Sequence, residues 1–289
     1  MSKILVTGAT GVVGKTTIVH LLKKGIPANE IVGLARNAEK AEEILNTGIE
    51  IRIGDYFDYD SLLQAFEGID KLMLISAHAF TDRITQHYNA ITAAREVGVK
   101  HIVYMSIMRK AGSGLVMPEV TESDIFSEQT IKASGLNYTI LFHPPFTDVL
   151  SFYYGLKPYE NGFKLPGGKG KMAPATRDEL AEAHAAVLSQ PGHENKTYIL
   201  SGSEAVSFAD IAQILAEVKR EPVPYTTITA QAYNELRASE GIPAHLTGFV
   251  TDWVIAINSG EYAEQPGDLE RLLGRKTRTF REFVESSRA

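Results

Sequence analysis

From its start this chain alternates short apolar runs with longer stretches of helical period. The runs read "KILVTG", "EIVGLAR", "IEIRIGD", "KLMLISA", "HIVYMS", "NYTILFH" and "KTYILSG". Between the first six lie "VVGKTTIVHLLKKG", "NAEKAEEILNTG", "DSLLQAFEG", "RITQHYNAITAAREVG" and "ESDIFSEQTIKASG", whose terminal glycines suit left-handed helix caps. Strand, helix and strand in succession build βαβ units, because a parallel pair needs a crossover long enough to hold a helix. The expected class is therefore α/β, with a doubly wound parallel sheet. Burial of the later strands on both faces accounts for the nearly continuous apolar runs "KLMLIS" and "HIVYMS".

The pattern loosens near Leu150, which predicts a sheet domain over residues 1–150 and a smaller α+β lobe over 151–289. One strand near 196–201 is expected to return to the sheet. "SFYYGLKPYENGFKLPGGKGKMAPA" reads as loop, and "PGGKGKM" within it as a flexible connector. Thr176, three residues before Glu179, and Ser207, ahead of Ile211, Ile214, Leu215 and Val218, are expected helix caps.

Bulk properties remove several function classes. A net charge of −6 argues against nucleic acid or an anionic membrane as the main partner. The chain has no cysteine, so disulfides, thiolate nucleophiles and Cys-based metal centres are excluded. It carries no signal-peptide pattern at its start and no run near the roughly 18 apolar residues of a membrane span, so the cytoplasm is the expected location.

"ATGVVGKT" admits two chemistries. With Ala9 as the opening small residue and Lys15 and Thr16 closing it, it is a loosened triphosphate loop; but Gly is missing at the first position, and "IRIGD" is a poor strand for a magnesium acid. At another period the same residues give Gly8, Gly11 and Gly14, a G-x-x-G-x-x-G turn between first strand and first helix, which brings backbone N–H groups to a diphosphate. About twenty residues on, where an NAD-preferring fold places an acid for the ribose 2′-OH, the second strand ends in Arg36, which suits a 2′-phosphate. NADPH is the expected cofactor.

Together "VTGATGVVG", "ARN", "GDY", "KLMLISA", "GVKHIVYMS", "GLNYTILFHPPFTD", "ATRDELAEAHAAVL" and "GHENKTYILSG" resemble the NmrA-like atypical short-chain dehydrogenases, of the quinone oxidoreductase and triphenylmethane-dye reductase type. The likeness is dense to about Ser203 and thin beyond. It implies a Rossmann-type lobe, NADPH held without flavin, and a small C-terminal lobe closing over the nicotinamide. It implies further that Gly8, Thr10, Gly11, Val12, Val13 and Gly14 cradle the diphosphate and Arg36 the 2′-phosphate. Asp55 and Tyr56 would flank the adenine, with Ser76, Ala77 and His78 under the nicotinamide ribose and Ser106 nearby. Two departures fall on the expected active-site side: Phe142 and His143 stand where relatives have "LRN" or "LRP", and Asp124 where many have His, four residues before Glu128.

Ordinary short-chain dehydrogenases use a Tyr-x-x-x-Lys pair. Tyr153 and Lys157 have the spacing but follow the sixth strand and bracket Gly155, and "DIFSEQTIKASG", the helix in the right place, has no tyrosine. That favours acceptors needing little acid catalysis, such as a quinone or a cationic dye carbon, for which positioning and exclusion of water suffice. Phe142, Phe146, Phe152, Tyr153 and Tyr154 would suit a flat ring, or make core; Phe142, Phe146, Phe152 and Tyr153 are taken as substrate-binding. His143 is the titratable group expected to donate a proton to a reduced quinone, its plainer alternative being a hydrogen-bonded histidine at a strand end. The remaining histidines lack paired ligand spacing, and "GDYFDYD" lacks the Gly and Glu of a calcium loop, so no metal is expected and the acids read as a turn capping the next helix. The leading expectation is an NADPH-dependent quinone-type reductase, with a homodimer as candidate assembly. The rival is a non-catalytic regulator that senses the same dinucleotide.

Overall fold

The structure, a computed structural model, describes residues 2–155 and 157–287. Its strands and helices follow in the order β1 (Ile4–Val6), α1 (Val12–Lys23), β2 (Ile31–Ala35), α2 (Glu42–Leu45), β3 (Glu50–Ile53), α3 (Tyr59–Phe66), β4 (Lys71–Leu74), α4 (Arg83–Glu96), β5 (His101–Ile107), α5 (Thr121–Ala133) and β6 (Asn137–His143). Then come α6 (Ser151–Tyr154), α7 (Pro158–Asn161), β7 (Phe163–Pro166), α8 (Arg177–Ser189), β8 (Lys196–Ile199), α9 (Phe208–Lys219), β9 (Tyr225–Ile228), α10 (Ala230–Ser239), α11 (Ala244–Asn258), α12 (Asp268–Leu273) and α13 (Phe280–Ser286). Two units divide the chain: Met1–Ile107 with Glu119–His143 and Arg177–Tyr198, and Met108–Pro118 with Pro144–Thr176 and Ile199–Ala289.

In the first unit a seven-stranded sheet runs β3-β2-β1-β4-β5-β6-β8, and each pairing from β3 through β6 is parallel. The order 3-2-1-4-5-6 is that of the doubly wound dinucleotide fold, in which the winding reverses between the strands here numbered β1 and β4 and leaves a crevice at their carboxyl ends. Burial follows position in the sheet. β1 and β2 are buried throughout, whereas β3 and β8, at the two edges, are largely exposed or half-buried. Burial of every later strand on both faces therefore fails at the edges, where one side of the strand has no neighbour to cover it.

Local chemistry sets the helix ends. Asp58 and Asp82 accept the Ser61 and Thr85 amides at 3.1 Å and 3.0 Å, capping α3 and α4, so "GDYFDYD" does contain a capping turn. Gly25, Gly48, Gly68, Gly98 and Gly135, which end the five expected helices, all take left-handed φ. The second of those helices is short: a 3-10 turn (Ala38–Ala41) leads into the four residues of α2. Apolar side chains of β1, β2, β4 and β5 pack with Leu62, Phe66, Ala90, Ile91, Ala94 and Ile131 of α3, α4 and α5 into one buried cluster.

The second unit carries a parallel two-stranded sheet, β7 with β9, in register Phe163↔Tyr225 to Pro166↔Ile228. The stretch expected to be loop thus holds α6, α7 and β7. The glycines after β7 are packed close. A Cβ on Gly167 would lie 2.3 Å from Thr227 Cγ2, and one on Gly170 2.3 Å from the Asn258 carbonyl oxygen, which accepts the Gly170 amide at 3.0 Å. The glycines of "PGGKGKM", read from sequence as a flexible connector, thus stand where a Cβ would collide with the Thr227 side chain or with Asn258. Ser207 caps α9 through a full capping box with Asp210, as expected.

Candidate functional site

Four chain segments converge where the winding of the sheet reverses, each leaving the carboxyl end of a strand in the first unit. They are Gly8, Thr10 and Gly11 after β1, Arg36 after β2, Gly54–Tyr56 after β3 and Ile75–His78 after β4, and with Leu34, Ala35, Thr81 and Gln86 they line a cavity of about 320 Å3. Of the residues expected to hold a dinucleotide, the cavity gathers Gly8, Thr10, Gly11, Arg36, Asp55, Tyr56, Ser76, Ala77 and His78. Val12, Val13, Gly14 and Ser106 are not part of its lining; the first three form the opening turn of α1.

The turn has the properties an anion needs. Gly8 sits at φ +58, and a Cβ on Gly14 would lie 2.3 Å from the Gly8 carbonyl oxygen, so the helix starts hard against the strand end. Gly11 is the N-cap of α1, offers no side-chain cap, and is followed by no acidic residue in the first turn. Neither a side-chain cap nor a first-turn acid therefore offsets the positive end of the helix dipole, which favours an anion there. Arg36 adds an exposed guanidinium to the same lining. These features fit a dinucleotide carrying a 2′-phosphate. Lys15 lies on α1 beyond the turn.

The wall after β4 is tied down from several elements. Thr7 Oγ1 accepts the Ile75 amide at 2.9 Å and donates to the Met73 carbonyl at 3.1 Å. The Tyr56 hydroxyl lies 2.6 Å from Thr7 Oγ1 and 2.9 Å from the Ile75 carbonyl oxygen, and burial raises its pKa. Asp55 turns its carboxylate back to accept the Phe57 amide at 2.9 Å. The Ser76 hydroxyl donates to the Met105 carbonyl, and the Ala77 amide donates to His87 Nε2 at 2.9 Å.

Behind that wall, α5 sets two buried acids against β5. Asp124 accepts the Tyr104 hydroxyl at 2.8 Å and an Arg83 N–H at 2.6 Å, while Glu128, one turn on, accepts the Ser106 hydroxyl at 2.6 Å. The match is one of period: i, i+4 on the helix against i, i+2 on the strand. Sequence reading noticed Asp124 only as a departure and missed Arg83, Tyr104 and His87; a polar i, i+3, i+4 set on α4 (Arg83, Gln86, His87) was the available signal.

His143 lies elsewhere. It is buried, its Nε2 is 2.8 Å from His184 Nε2, and His184 Nδ1 is 3.1 Å from Thr17 Oγ1, which donates to the Val13 carbonyl at 2.8 Å. Because the Thr17 proton is used on Val13, the His184 proton sits on Nδ1 and His143 donates from Nε2. Burial lowers the pKa of His143 to about 3 and, with the His143 ring beside it, that of His184 well below the usual value. An imidazolium near neutral pH, as the proton-donor expectation requires, is therefore disfavoured at His143.

The aromatic candidates differ in their surroundings. Phe142 packs against the first unit's core. In the second unit, Phe146 bridges to Ala175 through its backbone and Phe152 is exposed. Tyr153 is buried, with its ring 6.3 Å from that of Trp253 and its carbonyl accepting the Tyr233 hydroxyl at 2.6 Å. Tyr153 and Lys157 do not share a helix, since α6 ends at Gly155 (φ +98), and Lys157 pairs with Glu160 at 3.0 Å.

Residues 1–284 match the NmrA-like family. The chain is 34% identical over 284 residues to quinone oxidoreductase 2 of Escherichia coli (strain K12), with 97% of each chain covered. It is 28% identical over 287 residues to an NAD(P)H azoreductase of Xenophilus azovorans, covering 99% of this chain and 98% of that one. The triphenylmethane reductase of Citrobacter sp., solved in complex with NADP(H), superimposes with a TM-score of 0.91 at 35% identity, covering 99% of this chain and all (100%) of the other. A doubly wound sheet with a glycine turn at its crevice, and a match running nearly end to end, place the chain in the NmrA-like family.

Proposed function

We propose that this chain is an NADPH-dependent reductase that passes hydride directly to a quinone or a similar electron-poor conjugated acceptor, dye-like compounds included. The observation that carries the reading is the cavity at the winding reversal, where the left-handed Gly8 turn, the uncapped start of α1 and Arg36 meet. Likeness over nearly the whole chain to a quinone oxidoreductase, an azoreductase and a dye reductase bound to NADP(H) supports it.

When bound, NADPH supplies the hydride. In this reading Gly8, Thr10, Gly11, Val12, Val13 and Gly14 hold the diphosphate, and Arg36 the 2′-phosphate. Asp55 and Tyr56 flank the adenine, and Ser76, Ala77, His78 and Ser106 serve the nicotinamide half. Phe142 of the first unit and Phe146, Phe152 and Tyr153 of the second are the candidates for packing a flat acceptor. No flavin, metal or Tyr/Lys pair takes part: acceptors whose reduced forms are stabilised by delocalisation leave the protein mainly to position the reactants and exclude water. The proton taken up by a reduced quinone comes from solvent, and His143 acts through His184 and Thr17 on the first turn of α1. The neutral, buried state of both rings supports that assignment over proton donation.

The test is NADPH oxidation followed by absorbance with a panel of quinones, azo dyes and triarylmethane dyes. Turnover on one class or more is expected. Binding of NADPH with no turnover on any acceptor would instead make the chain a sensor of the dinucleotide.

A further inference from the structure

The cavity wall at Ile75–His78 lies beyond the end of β4 at Leu74, so the sheet ladder does not hold it. Side chains do so in its place, and one of them, His87, reaches it from α4 without itself lining the cavity. The Ala77 amide donates to His87 Nε2 at 2.9 Å, and a ring nitrogen that accepts from an amide carries no proton. The single proton of the neutral ring is then on Nδ1, 2.8 Å from Ser127 Oγ, and Ser127 spends its own proton on the Ser123 carbonyl at 2.7 Å. Every donor in the chain has an acceptor only in this order. The opposite tautomer would set Nε2–H against the Ala77 N–H and leave Ser127 without a ring proton to accept.

The surroundings keep the ring neutral. His87 is 0% exposed, and burial, followed by the nearby Arg83 charge, lowers its pKa to about 3. The Tyr104 hydroxyl lies 3.4 Å from Nδ1, but its proton goes to Asp124.

We propose that His87 is a positioning residue for the reductase: fixed as the Nδ1–H tautomer by Ser127, it draws the Ala77 amide inward and so sets the wall that receives the nicotinamide half of the dinucleotide. This rests on the reading of the cavity as a dinucleotide site. Placement on that half follows from the winding: β1–β3 build one mononucleotide-binding half, which holds Arg36, and β4 opens the other.

The test compares His87→Leu, His87→Gln and Ser127→Ala with the unaltered protein. Leu removes the acceptor and leaves a buried amide unpaired; Gln keeps an oxygen where Nε2 stood. For His87→Leu, the dissociation constant for NADPH is expected to rise about tenfold, while that for adenosine 2′,5′-bisphosphate, which lacks the nicotinamide half, moves by less than about twofold. His87→Gln is expected to recover to within about threefold on NADPH, and Ser127→Ala, which frees the tautomer without touching the wall, to fall between the two. Nitrogen-15 NMR of the unaltered protein should show His87 protonated at Nδ1. An Nε2–H tautomer, or an equal loss for both ligands in the Leu variant, overturns the proposal. If the unaltered protein binds adenosine 2′,5′-bisphosphate and NADPH no better than ATP, the dinucleotide reading itself has failed and not the role of His87.

Discussion

His143 and His184 face each other Nε2 to Nε2 at 2.8 Å inside the first unit, with neither ring reaching solvent. Both pKa values lie below that of an unfolded histidine, near 6.5, so the folded state binds fewer protons than the unfolded one across the interval between them. Their contribution to stability is therefore complete above about pH 6.5 and is lost as pH falls toward about 3, at up to about 1.4 kcal/mol per pH unit for each ring. His87, held at about 3, and His101, at about 4, add to the same acid limb. His143→Gln keeps an N–H for His184 but does not titrate, and its urea-unfolding free energy should fall less steeply than that of the unaltered chain between pH 6.5 and 4. Parallel curves would mean that His143 is not held neutral.

Arg36 is the cation that selects between the two nicotinamide cofactors in the proposed function. Arg36→Ala should raise KM for NADPH about 10- to 100-fold, the worth of charge-assisted hydrogen bonds to a phosphate, and change KM for NADH less than about threefold. Steady-state kinetics with one quinone and both cofactors decides it: an equal rise for both would move Arg36 away from the 2′-phosphate.

The glycines of the turn differ in what they tolerate. A Cβ on Gly14 would meet the Gly8 carbonyl oxygen at 2.3 Å and the Thr7 carbonyl oxygen at 3.0 Å, both backbone, so neither can swing aside. On Gly11, whose φ of −84 any residue adopts, the nearest atom is the Gly8 carbonyl oxygen at 3.3 Å. Gly14→Ala should cost about 1–3 kcal/mol by thermal unfolding and weaken dinucleotide binding, whereas Gly11→Ala should stay within about 1 kcal/mol. Equal stability of the two variants would contradict the close packing of α1 on the end of β1.

What the letters revealed and what they hid divides along physical lines. β1, β2, β4 and β5 are short apolar runs closed by turn residues, so their pattern is local and legible, and the glycine turn follows from the same punctuation. β7 was hidden because its partner β9 lies far along the chain, Phe163 against Tyr225, and neither strand alternates clearly enough to announce itself. The supports of the cavity wall were hidden for a different reason. The buried face of α4 carries Arg83, Gln86 and His87 beside Ala90, Ile91 and Ala94, and polar letters on a buried face look like a solvated one. Likewise the letters leave His143 open between a proton donor and a hydrogen-bonded histidine at a strand end, because its partner His184 lies on a helix much later in the chain.

Behind the wall lies a buried ion pair. Arg83 and Asp124 meet at 2.6 Å with side chains 2% and 0% exposed, and Tyr104 donates to the same Asp124 oxygen at 2.8 Å. A pair this deep is costly to break from one side, because the partner left behind is a charge without solvent. Arg83→Met should therefore lower the urea-unfolding free energy by about 3–5 kcal/mol. Pairing it with Asp124→Leu removes the stranded carboxylate, and should recover most of the loss except about 1 kcal/mol for the Tyr104 hydroxyl then left without its acceptor, which Tyr104→Phe in the same chain restores. The burial of Tyr104 and then the charge of Asp124 raise the phenol's pKa well above its ordinary value, so this hydroxyl stays protonated and remains a donor throughout the working range. If Arg83→Met alone were as stable as the paired variant, Asp124 would have to be neutral or hydrated in the fold.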